Sequence, residues 1–325
     1  MPVVITTPSR LHFGLLRFEQ TDGPSYGGLG MMIADPRWVV ELDAADQWAG
    51  EGVGFQRALE FARHALHAVS EIDAPHKPHA LRVRIRQAIP AHRGLGGGTQ
   101  LGLAIAAGVR RLLNLPDASA EELAAASGRG QRSAVGAHGF VHGGLIWEKG
   151  RPPGQSLGQL AARVALPEAW RIVLIDTGDP SGLSGKPEID AFKALPPVPV
   201  ATTERLEQLA EEAILPAAER GDLTEFSEAL YDYGRTAGEC FAPVQGGAYA
   251  STSIARCVRT IRQLGVPATG QSSWGPTVFA VTERIEHAKQ LCESLANNPA
   301  TATYATQITA ANNHGATIEH LAPGH

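Results

Sequence analysis

The chain has 325 residues, 43% of them hydrophobic and 19% charged; this length predicts two domains, and this composition excludes a largely disordered chain. A formal net charge of -5, with Lys and Arg scattered along the chain, excludes the electrostatic footprint needed to wrap a nucleic acid. Three widely spaced cysteines, Cys240, Cys257 and Cys292, form no CxxC pair and fit a reducing compartment.

The opening MPVVITTPSRLHFGLL lacks a basic region followed by a long apolar run, so no signal peptide is expected. No later stretch approaches the roughly 18 apolar residues of a membrane span. A soluble, cytoplasmic protein with neither nucleic-acid nor membrane partners is expected. From Leu81 to Ile89, Leu81, Val83 and Ile85 alternate with Arg82, Arg84 and Arg86, the period of a half-buried strand. Pro90 to Gln100 follows as a glycine loop, and Leu101 to Leu113 is apolar enough for a buried helix. Ser119 and Glu122 form a capping box opening an Ala-rich helix that ends near Gly128.

His138 and His142 stand four residues apart, yet Gly136, Gly139 and Gly143 argue for a loop there, and no HExxH pattern marks a zinc site. Gly150 to Gly158 reads as a linker. Arg171 to Thr177 reads as a central strand leading into the long polar loop DTGDPSGLSGKPE. Helices are expected over 203–219, 222–238, 247–264 and 283–296, with strands over 278–281 and 304–309.

The glycine loop is the strongest chemical signal. Arg93-Gly-Leu-Gly-Gly-Gly-Thr-Gln100 sits between a strand and a helix, where glycines admit a close ligand and the helix N-terminus offers free N–H donors. It is not a Walker A loop, because no Lys-Ser/Thr follows, nor a dinucleotide fingerprint, whose sixth position is here Thr99.

Three stretches, Pro8-Ser-Arg-Leu-His-Phe-Gly14, Pro90 to Gln100 and Gly270-Gln-Ser-Ser-Trp-Gly-Pro276, resemble the three ordered motifs of the GHMP kinases. That resemblance implies an α+β fold. An S5-domain-2-like N-terminal domain with a left-handed βαβ crossover is expected over 1–160, and a ferredoxin-like C-terminal domain over 161–325. The departures are equally specific. Gly97 and Gly98 stand where the kinases carry a serine pair that helps hold Mg-ATP, and Ser133 to His142 contains no acid to support an attacking hydroxyl. An ATP-dependent small-molecule kinase is therefore the alternative reading, and a non-catalytic binding protein the third.

The local variants GLGGGTQL, HGF-x-HGG, GLSG-x-x-E and GQSSWGPT resemble instead the β-ribofuranosylaminobenzene 5′-phosphate synthase family of methanopterin biosynthesis. The resemblance implies condensation of 5-phosphoribosyl-1-diphosphate with 4-aminobenzoate or 4-hydroxybenzoate, with loss of CO₂ and diphosphate, in a homodimer that uses Mg²⁺. On this reading Arg10, His12 and His142 are the catalytic candidates, with Arg17 and Arg37 nearby. Substrate would be held by Ser9, Arg93, Gly94, Gly96, Gly97, Gly98, Thr99, Gln100, Ser184, Gln271, Ser272, Ser273 and Trp274. Asp176, Asp179 and Glu188 are the candidate magnesium ligands.

Overall fold

The computed structural model describes residues 1–20, 22–69, 78–179 and 195–321. Its first sheet is built from two long antiparallel strands, β1 (Val3–Leu15) and β2 (Gly28–Ala45). The outer half of β2 pairs with β4 (Ala80–Gln87), which runs parallel to the short β3 (Ala49–Glu51). Its inner half pairs with β5 (Leu145–Glu148), which carries β6 (Leu160–Val164) on its far side. The last strand of the described chain, β11 (Thr317–His320), returns to pair with β1.

The apolar alternation of β4 works as expected: Leu81, Val83 and Ile85 are buried. They join one core with α1 (Phe55–Ala68) and α2 (Gly97–Leu112). Further helices are α3 (Ala120–Ser127) and α4 (Val135–His142). The capping box forms in full. Ser119 Oγ accepts the Glu122 N–H, and Glu122 accepts the Ser119 N–H at 2.7 Å. Replacing Ser119 by Ala should therefore cost about 1 kcal/mol, seen as a melting temperature lower by about 2–4 °C; an unchanged midpoint would show that the cap contributes nothing.

The second sheet has the antiparallel order β10-β7-β9-β8, formed by β7 (Arg171–Asp176), β8 (Thr269–Gln271), β9 (Thr277–Thr282) and β10 (Ala305–Ala310). Taken from β7, that order is 4-1-3-2. Between β7 and β8 run α5 (Val200–Gln208), a π-helical turn (Leu209–Ile214), α6 (Leu215–Arg220), α7 (Leu223–Glu239), α8 (Ala242–Gln245) and α9 (Thr252–Gln263). Between β9 and β10 runs α10 (Ile285–Asn297). This is a βαββαβ plan with extra helices in its first crossover. Val173, Ile175, Ile254, Ile261, Val278 and Leu291 form its own core. Among the described residues no helix is long and apolar enough to cross a membrane.

Three local expectations are corrected. Residues 135–142 are helical, not a loop, because their glycines serve packing: a side chain at Gly139 would overlap the buried Met32 sulfur. Gly150 to Gly158 is not a linker but the connection of the β5–β6 hairpin, closed by Lys149 N–H to Gln159 O and Gln159 N–H to Gly150 O. The helix expected from residue 247 begins only at Thr252, where the Ser251 hydroxyl caps it by accepting the Ile254 N–H.

Candidate functional site

The three distant motifs meet at β1. Arg10 N–H donates to Leu95 O in the glycine loop at 3.0 Å, and Ser273 N–H donates to His12 O at 2.9 Å. Ser272 Oγ accepts the His12 N–H and donates to Gly94 O at 2.8 Å. Ser272 is thus a buried pin between the first, second and third motifs. Gly94 and Gly275 touch backbone to backbone, and a side chain on either would overlap main-chain atoms of the other.

At the loop's end Gly96 takes the left-handed conformation (φ 69°) and its carbonyl accepts the Thr99 and Gln100 N–H groups. The N–H groups of Gly97 and Gly98 are then the outward donors of the first turn of α2, at the positive end of the helix. Trp38 Nε1 donates to Gly97 O at 2.8 Å and anchors this turn.

Three guanidinium groups surround the turn. A side chain at Gly96 would come within 3.2 Å of Arg10 Nε, and one at Gly98 within 2.8 Å of an Arg57 terminal nitrogen. Arg129 donates to Thr99 Oγ1 at 3.5 Å. Helix donors and three cations converging on one glycine turn suit an anion carrying several charges. Arg57 and Arg129 escaped the sequence reading because they come from α1 and the α3–α4 connection, with no local motif around them.

His12 and Arg10 share the inner side of this cradle. His12 is buried, and its Nε2 lies 3.1 Å from Ser133 Oγ, which in turn lies 2.8 Å from Glu148 Oε1. Burial first, and the Arg10 charge second, hold the His12 pKa well below the usual histidine value, so the ring is neutral. Glu148 was not among the expected residues. It is enclosed, and burial pushes its carboxyl up to about 7 against the opposing pull of the Ser133 hydroxyl, the Ala134 and Val135 N–H groups and Arg10. The signal in the sequence was an acid closing the buried run Leu145-Ile-Trp-Glu148.

These two groups oppose each other in acid. A histidine with a depressed folded pKa loses stability as pH falls below about 6.5, whereas an acid with a raised one gains stability as pH falls from about 7 towards its unfolded value. Glu148→Gln should therefore lose more of its melting temperature than wild type between pH 7 and pH 5. Parallel curves from thermal scans at several pH values would show that Glu148 does not take up a proton in the fold.

The remaining expected residues divide sharply. Gly94, Gly96, Gly97, Gly98 and Thr99 form the cradle. Gln100 is buried and donates to Gly136 O at 2.8 Å, joining α2 to α4. Ser9 is buried and donates to Pro36 O. Arg93 pairs with Asp176 at 3.1 Å across the two sheets' junction. Asp176 also accepts the Gly178 N–H, and Asp179 accepts the Ser251 hydroxyl. Ser184 and Glu188 lie outside the described residues. Among the described residues no group of three His, Cys, Asp or Glu side chains is placed to hold a metal. His142 is exposed at the far end of α4, about 9 Å along the axis from Gly136 at 1.5 Å per residue. Arg17 pairs with Glu207 at 2.6 Å, and Arg37 with Asp35 at 3.3 Å, so neither reaches the cradle.

Between the third motif and α7 lies a cleft that His12 also lines. Phe13, Phe241, Tyr249 and Trp274 line it with Gln271 and Ser273. Trp274 meets Phe241 edge to face, centroids 5.0 Å apart. Gln271 shapes the loop, accepting the Ala250 N–H and donating to Ser273 O and Gly275 O. A flat aromatic ligand suits such walls.

Comparison with known proteins agrees with this fold. Residues 56–144 match the GHMP kinases N terminal domain and residues 214–301 the GHMP kinases C terminal domain. The structure resembles homoserine kinase from Cytophaga hutchinsonii, with a TM-score of 0.71 at 12% identity over 98% of this chain and 97% of that one. A beta-ribofuranosylphenol 5'-phosphate synthase from Archaeoglobus fulgidus is 28% identical over 97% of this chain and 99% of its own length. Its namesake from Methanothermobacter thermautotrophicus is 30% identical over 86% of this chain and 89% of its own. With the GHMP kinase fold underneath and that similarity running through both halves, the chain belongs to the β-ribofuranosylphenol 5′-phosphate synthase family of enzymes.

Proposed function

We propose that this enzyme joins 5-phosphoribosyl-1-diphosphate to 4-hydroxybenzoate or 4-aminobenzoate, releasing CO₂ and diphosphate and leaving a C-glycoside for methanopterin biosynthesis. The observation that carries this reading is the three-arginine cradle at Gly96 to Thr99 beside an aromatic-lined cleft: a charged site for diphosphate next to an apolar one for a ring. The relatives named for a phenol product favour the hydroxy acid as the acceptor to test first.

In this scheme the bond from C1 of the ribose to diphosphate breaks with both electrons leaving on oxygen. Arg10, Arg57, Arg129 and the N-terminus of α2 stabilise that departing charge. The ring carbon bearing the carboxylate attacks the oxocarbenium-like C1, driven by the oxygen or nitrogen opposite it. Loss of CO₂ returns its bonding pair to the ring and restores aromaticity. No strong base is needed. The protein's share is charge, close placement and exclusion of water from the cleft.

Magnesium belongs to the proposal as companion of the diphosphate, whose oxygens and bound water would supply most of its shell. A homodimer is the proposed assembly. The test is CO₂ release from carboxyl-labelled 4-hydroxybenzoate or 4-aminobenzoate with phosphoribosyl diphosphate and Mg²⁺, beside an ATP-only control. Release that needs both substrates is the expected result. ATP turnover on a small alcohol without CO₂ release would replace the proposal by the kinase reading.

A further inference from the structure

Ser133 has one hydroxyl proton, and its neighbours fix where that proton goes. Glu148 Oε1, 2.8 Å from Ser133 Oγ, also receives the Ala134 N–H at 2.7 Å and the Val135 N–H at 3.3 Å. An oxygen facing those donors is an acceptor, and a proton taken up by this carboxyl would sit on Oε2. The hydroxyl of Ser133 therefore donates to Glu148. Its lone pairs face the Val135 N–H at 3.3 Å and His12 Nε2 at 3.1 Å. With its only proton committed, Ser133 can only accept from His12, so Nε2 carries the ring hydrogen. Because the ring is neutral, Nδ1 is left with a bare lone pair.

We propose that Ser133 and Glu148 are positioning residues that hold His12, which lines the aromatic cleft, as the Nε2–H tautomer, so that its Nδ1 is a hydrogen-bond acceptor. This divides the labour of the first motif. Arg10 meets anionic oxygens, whereas any group that meets His12 Nδ1 has to donate. A phosphate oxygen would be repelled there; a hydroxyl of the ribose or of a phenol fits. Naming that hydroxyl rests on the proposed function, but the tautomer does not.

The tautomer can be read without substrate. In enzyme labelled with ¹⁵N-histidine, with the His12 signals assigned by loss in His12→Asn, Nε2 should show the shift of a protonated ring nitrogen and Nδ1 that of a bare one at neutral pH. Ser133→Ala should average the two nitrogens towards a mixture, and Ser133→Thr should restore the wild-type pattern. In the synthase assay Ser133→Ala should lower kcat about tenfold or more and leave KM for phosphoribosyl diphosphate within about twofold. An Nδ1–H ring or an imidazolium in the wild-type enzyme would overturn the assignment whether or not the variants fold. So would an unchanged pattern in folded Ser133→Ala. Absence of synthase activity alongside the expected shifts would strike the proposed function and leave the tautomer standing.

Discussion

Arg10→Gln should lower kcat/KM by about 10²–10³, the usual cost of removing one preorganised donor from a developing anion, while the melting temperature moves by only a few degrees. The asymmetry follows from position. Arg10 leans on Gly96 on the inner side of the proposed anion cradle, and its backbone, which ties β1 to Leu95, is untouched by the substitution. The same change has a second signature. The Arg10 charge helps to depress His12 and to restrain Glu148, so its removal should raise both pKa values. The acid limb of the rate profile should then move to higher pH. Arg93→Gln is the internal comparison: its guanidinium pairs with Asp176, and its loss should cost less than about tenfold. A folded Arg10→Gln enzyme with unchanged kcat/KM would remove Arg10 from the site.

Gly275→Ala should be the most damaging single-methyl change in the third motif. The added carbon would overlap the backbone of Gly94 and Arg93, atoms that cannot rotate aside as a side chain can. Overpacking of this kind costs about 1–3 kcal/mol, which for a chain of this size corresponds to roughly 2–10 °C in melting temperature. The activity loss should exceed what that destabilisation explains. Pushing Gly94 away from Gly275 displaces the loop that carries the first turn of α2, and an error of about 1 Å in placing a reacting group costs about 10² in rate. Assays well below the melting transition separate the two effects. Near-normal turnover in Gly275→Ala would mean that the loop does not need this contact to hold its working position.

Much of the architecture could be read from the chain because local chemistry and final packing agree. The alternation in Leu81 to Ile89 and the Ser119 capping box follow from short-range signals, whereas the 4-1-3-2 second sheet was expected only from the resemblance carried by the three motifs. The helix at 135–142 could not be read that way. Its glycines look like loop residues in sequence, and only the nearness of Met32, Thr99 and Gln100 explains why side chains are missing there. The site shows the same division. The Gly94 to Thr99 cradle was legible because a glycine turn before a helix has its own meaning. Arg57 and Arg129 were not, because what matters is the direction in which α1 and the α3–α4 connection deliver them. Glu148 was not legible because it lies beyond the stretch Ser133 to His142, and only the β5 hairpin folds the acid back under Ser133. Gln100 and Ser9 show the converse: polar residues inside a motif that turn inward and brace it.

The return of β11 to β1 concerns the order in which the molecule can be made. Val3 pairs with His320, so the strand that carries Arg10 and His12 receives its outer neighbour from a segment distant in sequence. During synthesis β1 emerges long before β11. Until then one edge of β1 presents unpaired N–H and C=O groups, an open template for pairing with another chain. Contacts between such distant segments also slow folding, because a long loop must close before they form. Completion of the strand bearing the first motif is therefore a late event, and shortening the chain before Thr317 should yield aggregation before it yields a measurable loss of catalysis.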